Sequence, residues 1–415
     1  MSTTKSAFYR TKINSSASNP RKLFSLFSTL LNPPSPPPPS CLIADDFVTY
    51  FIQKVKDISS TFAPASILHP PIPSSSVFTQ FSPLTSDEVY SIITSYHATT
   101  CPLDAIPSSL LQDVSSDLLP FLTSLINSSL TSGIVPASFK TARIKPLLKK
   151  PTLNTTDIQN YRPVSLLSFL SNTLERAVAN QLSSYLSSNN LLDPHQSGFK
   201  KAHSTETALL AVTESLRAAR ALSLSSVLIL LDLSAAFDTV NHQILLATLA
   251  ELGIAESALS WFVSYLMNRT YQVTWNGSLS KPCTLETGVP QGSVLGPLLF
   301  SLYTRSLGSV IASHSFSYHC YADDTQLFLS FPSSDKTLIA TRISECLADV
   351  RTSAHHLRLN LNKTELLLIP GKDFPHMDLL VTVENITVSP SPTARNLGVV
   401  LDNQLCCTAN ITAVA

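Results

Sequence analysis

A chain of 415 residues that is 44% apolar and only 13% charged is long enough for two or three domains and can bury a real core. Its 28 basic and 28 acidic side chains cancel, which excludes a global basic field, so any nucleic-acid contact must come from local patches. Its seven cysteines, odd in number and without C-x-x-C spacing, argue against a zinc site or a disulfide framework.

Residues 1–43 are polar and end in Pro33-Pro34-Ser35-Pro36-Pro37-Pro38-Pro39, an extended polyproline segment that cannot join a core. It reads as a disordered linker, with a motif for a proline-binding partner as the alternative. Within 44–84, Phe47, Phe51, Val55 and Ile58 recur at helical spacing behind Asp45 and Asp46, predicting an amphipathic helix from Ala44 to Phe62 before a Pro/Ser-rich stretch. Thr85-x-x-Glu88 is a capping box that opens a helix through about Tyr96. The pattern stays helical to Lys140, with Leu118, Leu119, Leu122 and Leu125 as core candidates. Lys140, Arg143, Lys145, Lys149 and Lys150 then form a basic run without an acid, either a solvated face or an anion-binding patch. Beyond it, short apolar strands alternate with helices to about Leu401, the texture of an α+β unit. From Cys406 the tail shows no period. No apolar run approaches the roughly 20 residues that span a bilayer, and the N-terminus lacks a signal core, so a soluble intracellular chain, cytoplasmic or nuclear, is expected.

Three stretches carry chemistry. An apolar run of strand length, Ser226 to Leu231, ends abruptly at Asp232. Two strand-like runs from Phe316 to Phe331 flank Asp323-Asp324, which reads as a hairpin with the acid pair in its turn. Each acid alone is as well explained by a turn or a cap. Like charges placed side by side without adjacent bases, however, usually have a cation to neutralise them. Phosphoryl transfer needs hard oxygen ligands holding two Mg²⁺ about 3.5–4 Å apart, and carboxylates on two neighbouring strands can supply them. The third stretch, Gly288-Val289-Pro290-Gln291-Gly292-Ser293, is a Gly/Pro loop opening an apolar helix, either a plain connection or a close approach to a ligand.

Asn160-Tyr161-Arg162-Pro163-Val164-Ser165-Leu166-Leu167, Gln196-Ser197-Gly198-Phe199, Leu231 to Asp238, Gly288 to Ser293, Tyr321-Ala322-Asp323-Asp324 and Asn396-Leu397-Gly398-Val399 follow one another in this order. The conjunction resembles the reverse transcriptase of non-LTR (LINE-type) retrotransposons over roughly residues 85–402. The resemblance implies an α+β fingers and palm fold with an antiparallel palm sheet and packed helices: a helical N-terminal extension and fingers at 85–225, a palm at 226–402 and an atypical tail at 403–415. It implies that Asp232 and Asp323 bind both Mg²⁺ ions (Mn²⁺ being an alternative), that Asp324 supports the site, and that the Leu233 carbonyl completes the nucleotide-side metal. Phe237 falls where the family places an aromatic gate against the ribose 2′-hydroxyl; a core aromatic is the bland alternative. Lys145 and Arg162 would contact the incoming triphosphate, Gln291 the nucleotide or template, and Gly292 would permit close approach. Lys363 would be the palm lysine, a general acid for pyrophosphate, or else an exposed loop lysine.

The implied partners are an RNA template, a DNA primer and a dNTP, with no membrane. The chain departs from the family in lacking the endonuclease domain and the helical thumb of its full-length members. It is also shorter between Cys346 and Leu357, a change that bears on where Lys363 falls. Two readings therefore stand: an RNA-directed DNA polymerase, or a truncated remnant that at most binds nucleic acid. A polymerase that makes RNA typically carries an acid where Phe237 stands.

Overall fold

The computed structural model describes residues 8, 10–15, 23, 41–60, 76–98, 100–353, 357–371, 379–383, 386–406 and 408–414. The polyproline run lies outside them, as do residues 61–75 of the expected helix end and linker.

In chain order the helices are α1 (Ala44–Ser59), α2 (Ser86–Thr94), α3 (Ser108–Asp113), α4 (Ser115–Ser132), α5 (Phe169–Ser188), α6 (Thr205–Ala221), α7 (His242–Glu251), α8 (Glu256–Leu266), α9 (Gly296–Tyr303), α10 (Arg305–Ser313), α11 (Lys336–Ser353) and α12 (Thr408–Val414). The strands begin with β1 (Thr141–Leu148), β2 (Tyr161–Leu166), β3 (Ser225–Leu231), β4 (Leu233–Ser234), β5 (Thr270–Trp275), β6 (Ser278–Leu279) and β7 (Cys283–Thr284). They continue with β8 (Ser317–Tyr321), β9 (Asp324–Phe331), β10 (Arg358–Leu359), β11 (Glu365–Ile369), β12 (Val381–Val383), β13 (Ile386–Val388), β14 (Thr393–Asn396) and β15 (Val399–Asp402). This is the α+β fold with an antiparallel palm sheet that the sequence implied. None of the described helices is long and apolar enough to cross a membrane.

The palm sheet runs β11-β3-β9-β8, every pair antiparallel. Its centre, β3, is apolar without alternation because both of its faces are covered. Val227, Ile229 and Leu231 enter the main core, while Leu228 lies in a second cluster with Val212 and Leu216 of α6 and Ala394 and Leu401 of the β14-β15 hairpin. That double burial fixes the strand's register, since a slip of one residue would exchange its two faces.

The fingers sheet runs β2-β1-β5-β6, with β7 also on β5. Alternation along β1 sends Ala142 and Ile144 under α1, whose Phe47 stands 4.6 Å from the Trp275 ring and 5.2 Å from Tyr161. The α1 start is held by Asp46, which accepts from the Ile43 N–H at 3.0 Å. The Thr85 capping box forms in both directions, Thr85 N–H to Glu88 at 2.8 Å and Glu88 N–H to Thr85 Oγ1 at 3.3 Å.

Two core expectations need correction. Leu125 is exposed, and its neighbour Ile126 is buried instead, because α4 rotates that side toward α2 and α8. The helical reading up to Lys140 is also interrupted: α2 stops at Thr94, the described residues between it and α3 form no helix, and α4 ends on Gly133, whose φ of +68° is the left-handed cap geometry glycine favours. The tail is not shapeless either. Its α12 turn is fixed by Asn410, which accepts from the Val400 N–H at 3.0 Å, a long-range tie that no periodicity signals.

Beneath the segment 288–295 lie two buried ionisable side chains, Glu175 and Arg269. Glu175 on α5 is fully buried and accepts from the N–H groups of Val294 and Leu295 at 2.8 and 3.0 Å. Burial pushes its carboxyl up, and the nearby Arg269, itself buried, is the leading influence in the other direction. Arg269 donates to the Tyr265 carbonyl at 3.0 Å and lies 4.6 Å from that residue's ring centroid. Glu175→Leu leaves the Val294 and Leu295 N–H groups without their acceptor and removes the carboxyl that acts on Arg269, and should cost about 3–5 kcal/mol in urea unfolding. Glu175→Leu with Arg269→Leu should cost clearly less than the sum of the two single changes; additive losses would show that the pair is not coupled.

Candidate active site

The β3-β9 register pairs Leu231 with Thr325, so the next position along, Asp232, emerges beside Asp324. The β8-β9 hairpin pairs Tyr321 with Asp324 across a two-residue turn, Ala322-Asp323. Asp323 thus sits in the turn and Asp324 opens the returning strand, on the edge next to Asp232.

Asp323 and Asp324 feel the acids beside them. Burial first, and then the charge of Asp232, raises the Asp323 carboxyl above its usual range, while Arg162 draws it down. Asp324 reaches solvent at the cleft edge, yet burial and the charges of Asp323 and Asp232 push it up to about 6. As donors, clustered carboxylate oxygens fit a hard divalent cation. No three His, Cys, Asp or Glu side chains converge on one point among the described residues. The Asp232 carboxylate is turned instead to Asn360, whose Nδ2 donates at 3.2 Å, and to Lys363, whose Nζ is 3.7 Å away.

Lys363 reaches that position because β10 pairs with β4, setting Leu359 against Leu233, while the Asn360 N–H donates to the Asp232 carbonyl at 2.9 Å. Lys363 thereby stands beside Asp232. Leu233 is buried in the same short ladder.

A second group of side chains faces this cleft from the fingers. Arg162 on β2 lies across from Leu147, and Lys145 on β1 across from Val164, so both project from the face opposite α1. Arg162 is close enough to act on Asp323. Lys149 is held below the usual lysine range by burial and by the neighbouring cations Lys54, Lys363 and Arg162. Arg162, Lys149 and Lys363 therefore form a positive rim around the acids. Lys145 is exposed and makes no ion pair among the described residues.

The loop between β7 and α9 is laced to the segment that follows Asp232. Gly288 N–H donates to the Val240 carbonyl at 2.8 Å and Val289 N–H to the Phe237 carbonyl at 2.9 Å. The Phe237 ring stacks on Phe300 of α9 at 4.5 Å and meets Phe199 edge-on at 6.4 Å. It is half-buried, with a core contact on one side and part of its surface free. Gln291 donates through Nε2 to Asp238 Oδ1 at 2.7 Å, and its carbonyl accepts from the Ser165 N–H at 2.7 Å. At Gly292, with φ of +109°, an added Cβ would lie 2.6 Å from the Ser165 carbonyl oxygen. The close approach that Gly292 allows here is to the β2 backbone.

Sequence reasoning passed over Asp238, Asn360 and Glu175. Asp238 stood inside a quoted motif, and an acid amid Ala-Ala-Phe and Thr-Val was a signal of burial. Nothing local marks Asn360 or Glu175, whose partners lie more than a hundred residues away in the chain.

Carboxylates at adjacent antiparallel strand ends, faced by a cationic strand pair and a glycine-rich loop, define the palm and fingers of a template-directed polymerase. Residues 148–401 match the family model described as "Reverse transcriptase (RNA-dependent DNA polymerase)", and the chain belongs to that family. It is similar to the probable RNA-directed DNA polymerase from transposon BS of Drosophila melanogaster, 29% identical over 331 residues, covering 78% of this chain and 36% of the relative. It is also similar to the RNA-directed DNA polymerase from mobile element jockey of the same organism, 27% identical over 340 residues, 80% of this chain and 37% of the relative. A polyprotein from the type-1 retrotransposable element R2 of Popillia japonica is 24% identical over 258 residues, 60% of this chain and 35% of the relative. These relatives place the chain with the non-LTR, LINE-type reverse transcriptases, and it spans about a third of their length. Reverse transcriptases in general use divalent metal ions.

Burial pushes the Asp238 carboxyl up to about 6 from 3.8, with the Gln291 amide opposing. The folded chain then keeps this proton to a higher pH than the unfolded chain does. Stability should therefore fall as pH rises from 4 to 6 and level off above, by about 3 kcal/mol for a shift of that size. Asp238→Asn keeps an acceptor for Gln291 and removes the titration, so its unfolding free energy in urea should be flatter across this window by that amount. Parallel profiles for the two proteins would mean that Asp238 ionises normally.

Proposed function

We propose that the chain copies an RNA template into DNA, joining a primer 3′-hydroxyl to the α-phosphorus of a dNTP with release of pyrophosphate. The observation that carries this reading is the register that sets Asp232, Asp323 and Asp324 on two neighbouring strand ends, under a rim of Arg162, Lys149 and Lys363. Asp232 and Asp323 would hold two Mg²⁺, with Mn²⁺ as a substitute, Asp324 adding charge and the Leu233 carbonyl a further oxygen. When bound, the metals supply Lewis-acid activation of the attacking hydroxyl and charge neutralisation at the leaving oxygen.

The protein's own groups do the rest. Arg162 presents a planar fork that matches phosphate oxygens, with Lys145 further along the same face as a second contact. Lys363, beside Asp232, is placed to give up a proton to pyrophosphate once a substrate draws it from that carboxylate. Phe237, wedged between Phe300 and Phe199, cannot retreat easily, which suits a ring that bars a 2′-hydroxyl. Gln291, with its amide N–H given to Asp238, keeps its Oε1 for the nucleotide or template, and Gly292 keeps that loop tight against β2.

The competing reading is an inactive remnant that at most binds nucleic acid, favoured by the present commitment of Asp232 to Lys363 and Asn360. Primer extension on an RNA template with Mg²⁺ and dNTPs separates the two. The intact chain should incorporate dNTPs, and Asp323→Asn should reduce the rate by about three orders of magnitude. Phe237→Ala should narrow the preference for dNTP over rNTP by about 10–100-fold. A folded chain that extends no primer in either metal would establish the remnant, and an unchanged sugar preference would remove Phe237 from the gate.

A further inference from the structure

The Gln196-Ser197-Gly198-Phe199 motif has so far been given no task. The segment His195–Ser197 runs beside β8, the outer strand of the palm sheet, as a parallel bridge between Gln196 and Cys320. Cys320 N–H donates to the His195 carbonyl and Ser197 N–H to the Cys320 carbonyl, both at 2.8 Å. Ser197 Oγ and His319 Nε2 are 2.9 Å apart, and the Tyr318 hydroxyl donates to Asp193 at 3.1 Å, so the segment is tied along the strand's length.

At the end of this seam the Gln196 side chain is buried and turned to Ala322. Its Oε1 accepts from the Ala322 N–H at 3.0 Å and from the Gly198 N–H at 2.8 Å, and its Nε2 donates to the Ala322 carbonyl at 3.2 Å. One amide thereby pairs with both polar groups of a single residue, as a neighbouring strand would. Ala322 is the residue before Asp323 and has φ of +58°, a left-handed conformation that a side chain disfavours. An isolated two-residue turn with alanine there has other conformations open to it, and most would carry Asp323 elsewhere. Gly198 lets the clamp close: an added Cβ would lie 2.1 Å from the Ala322 nitrogen.

We infer that Gln196 is a positioning residue, whose amide locks Ala322 in its left-handed turn and so fixes Asp323 and Asp324 at the cleft. It touches no reacting atom and acts only through the backbone of the hairpin. The inference deepens the proposed function, since it rests on the acids being cation ligands.

The test is Mn²⁺ binding by the full chain without nucleic acid, followed by electron paramagnetic resonance and so independent of catalysis. Gln196→Met removes the clamp at similar volume, and Gly198→Ala presses on the same peptide from the other residue. Both should fold by circular dichroism and bind Mn²⁺ at least about ten-fold more weakly, the size of effect usual for groups that orient ligands from behind. Leu186→Ala, a core change in α5, lowers stability without touching the hairpin and should leave Mn²⁺ affinity as it is. Asp323→Asn is the reference for loss of a ligand. If Asp323→Asn loses Mn²⁺ while Gln196→Met and Gly198→Ala bind as the parent does, the positioning role is overturned and the metal site stands. If Gln196→Met does not fold, Gly198→Ala alone decides between those results. If Asp323→Asn also binds normally, the cation reading of the acids falls, and the role of Gln196 falls with it.

Discussion

The constraint on which the rest depends is electrostatic: three carboxylates at two adjacent strand ends, with Asp232 adding to the cost of ionising Asp323 and both adding to that of Asp324. Burial and mutual repulsion hold Asp323 above its usual range and Asp324 near 6. A fold with no use for that arrangement would separate the groups at little cost, for example by flipping one turn. Here the arrangement is fixed from several directions. The β3 strand is gripped on both faces by separate apolar clusters, and β9 is held by its full register against it. The hairpin turn is pinned by a side-chain amide from a segment more than a hundred residues earlier in the chain.

The same economy governs the segment 288–295. It touches β2 through Ser165, the Asp232 strand's extension through Phe237, Asp238 and Val240, and α5 through Glu175. It is therefore a junction at which fingers and palm share hydrogen bonds, and its glycines answer to backbone neighbours: Gly288 to Asp238 and Gly292 to Ser165. Displacement of the fingers strand would be felt at Gln291 at once, because the Gln291 carbonyl and the Ser165 N–H form one of those bonds. Through such ties a substrate contact at Arg162 can bear on the opposite side of the cleft.

What could be read in the sequence was what short-range pattern encodes. The apolar stripe of α1, the Thr85 capping box, the unbroken β3 run ending at Asp232 and the strand-turn-strand around Asp323 all carry their signal within a dozen residues, and each took the form read from it. The misreadings share one cause. Leu125 and Ile126 are adjacent and similar, and only the packing of α4 decides which is covered. The α12 turn depends on one bond from Asn410 to β15. Asp238, Asn360, Glu175 and Gln196 are ordinary polar residues until the fold supplies Gln291, Asp232, the α9 entry and Ala322 as partners. The motif containing Gln196 was visible by resemblance, but its mechanical role depends on a contact 126 positions away.

A neutral chain that is to handle polyanions, as the proposed reading requires, has to separate its charges locally, and across this cleft they are separated. On one side, burial and then neighbouring acids hold Asp323 and Asp324 above the usual carboxylate range; on the other, burial and then Lys54, Lys363 and Arg162 hold Lys149 below its ordinary range. The one direct bridge between the groups, Lys363 to Asp232, is long at 3.7 Å and largely open to solvent, so it relieves neither side fully. In the proposed reading, divalent cations lie against the acids and a triphosphate lies against the rim, and the two guests also satisfy each other. Each guest would find its counter-charges already assembled and under mutual strain, so part of the work of gathering them is done in folding rather than in binding. On that account, the raised carboxylates and the lowered lysine are two sides of one preorganised field.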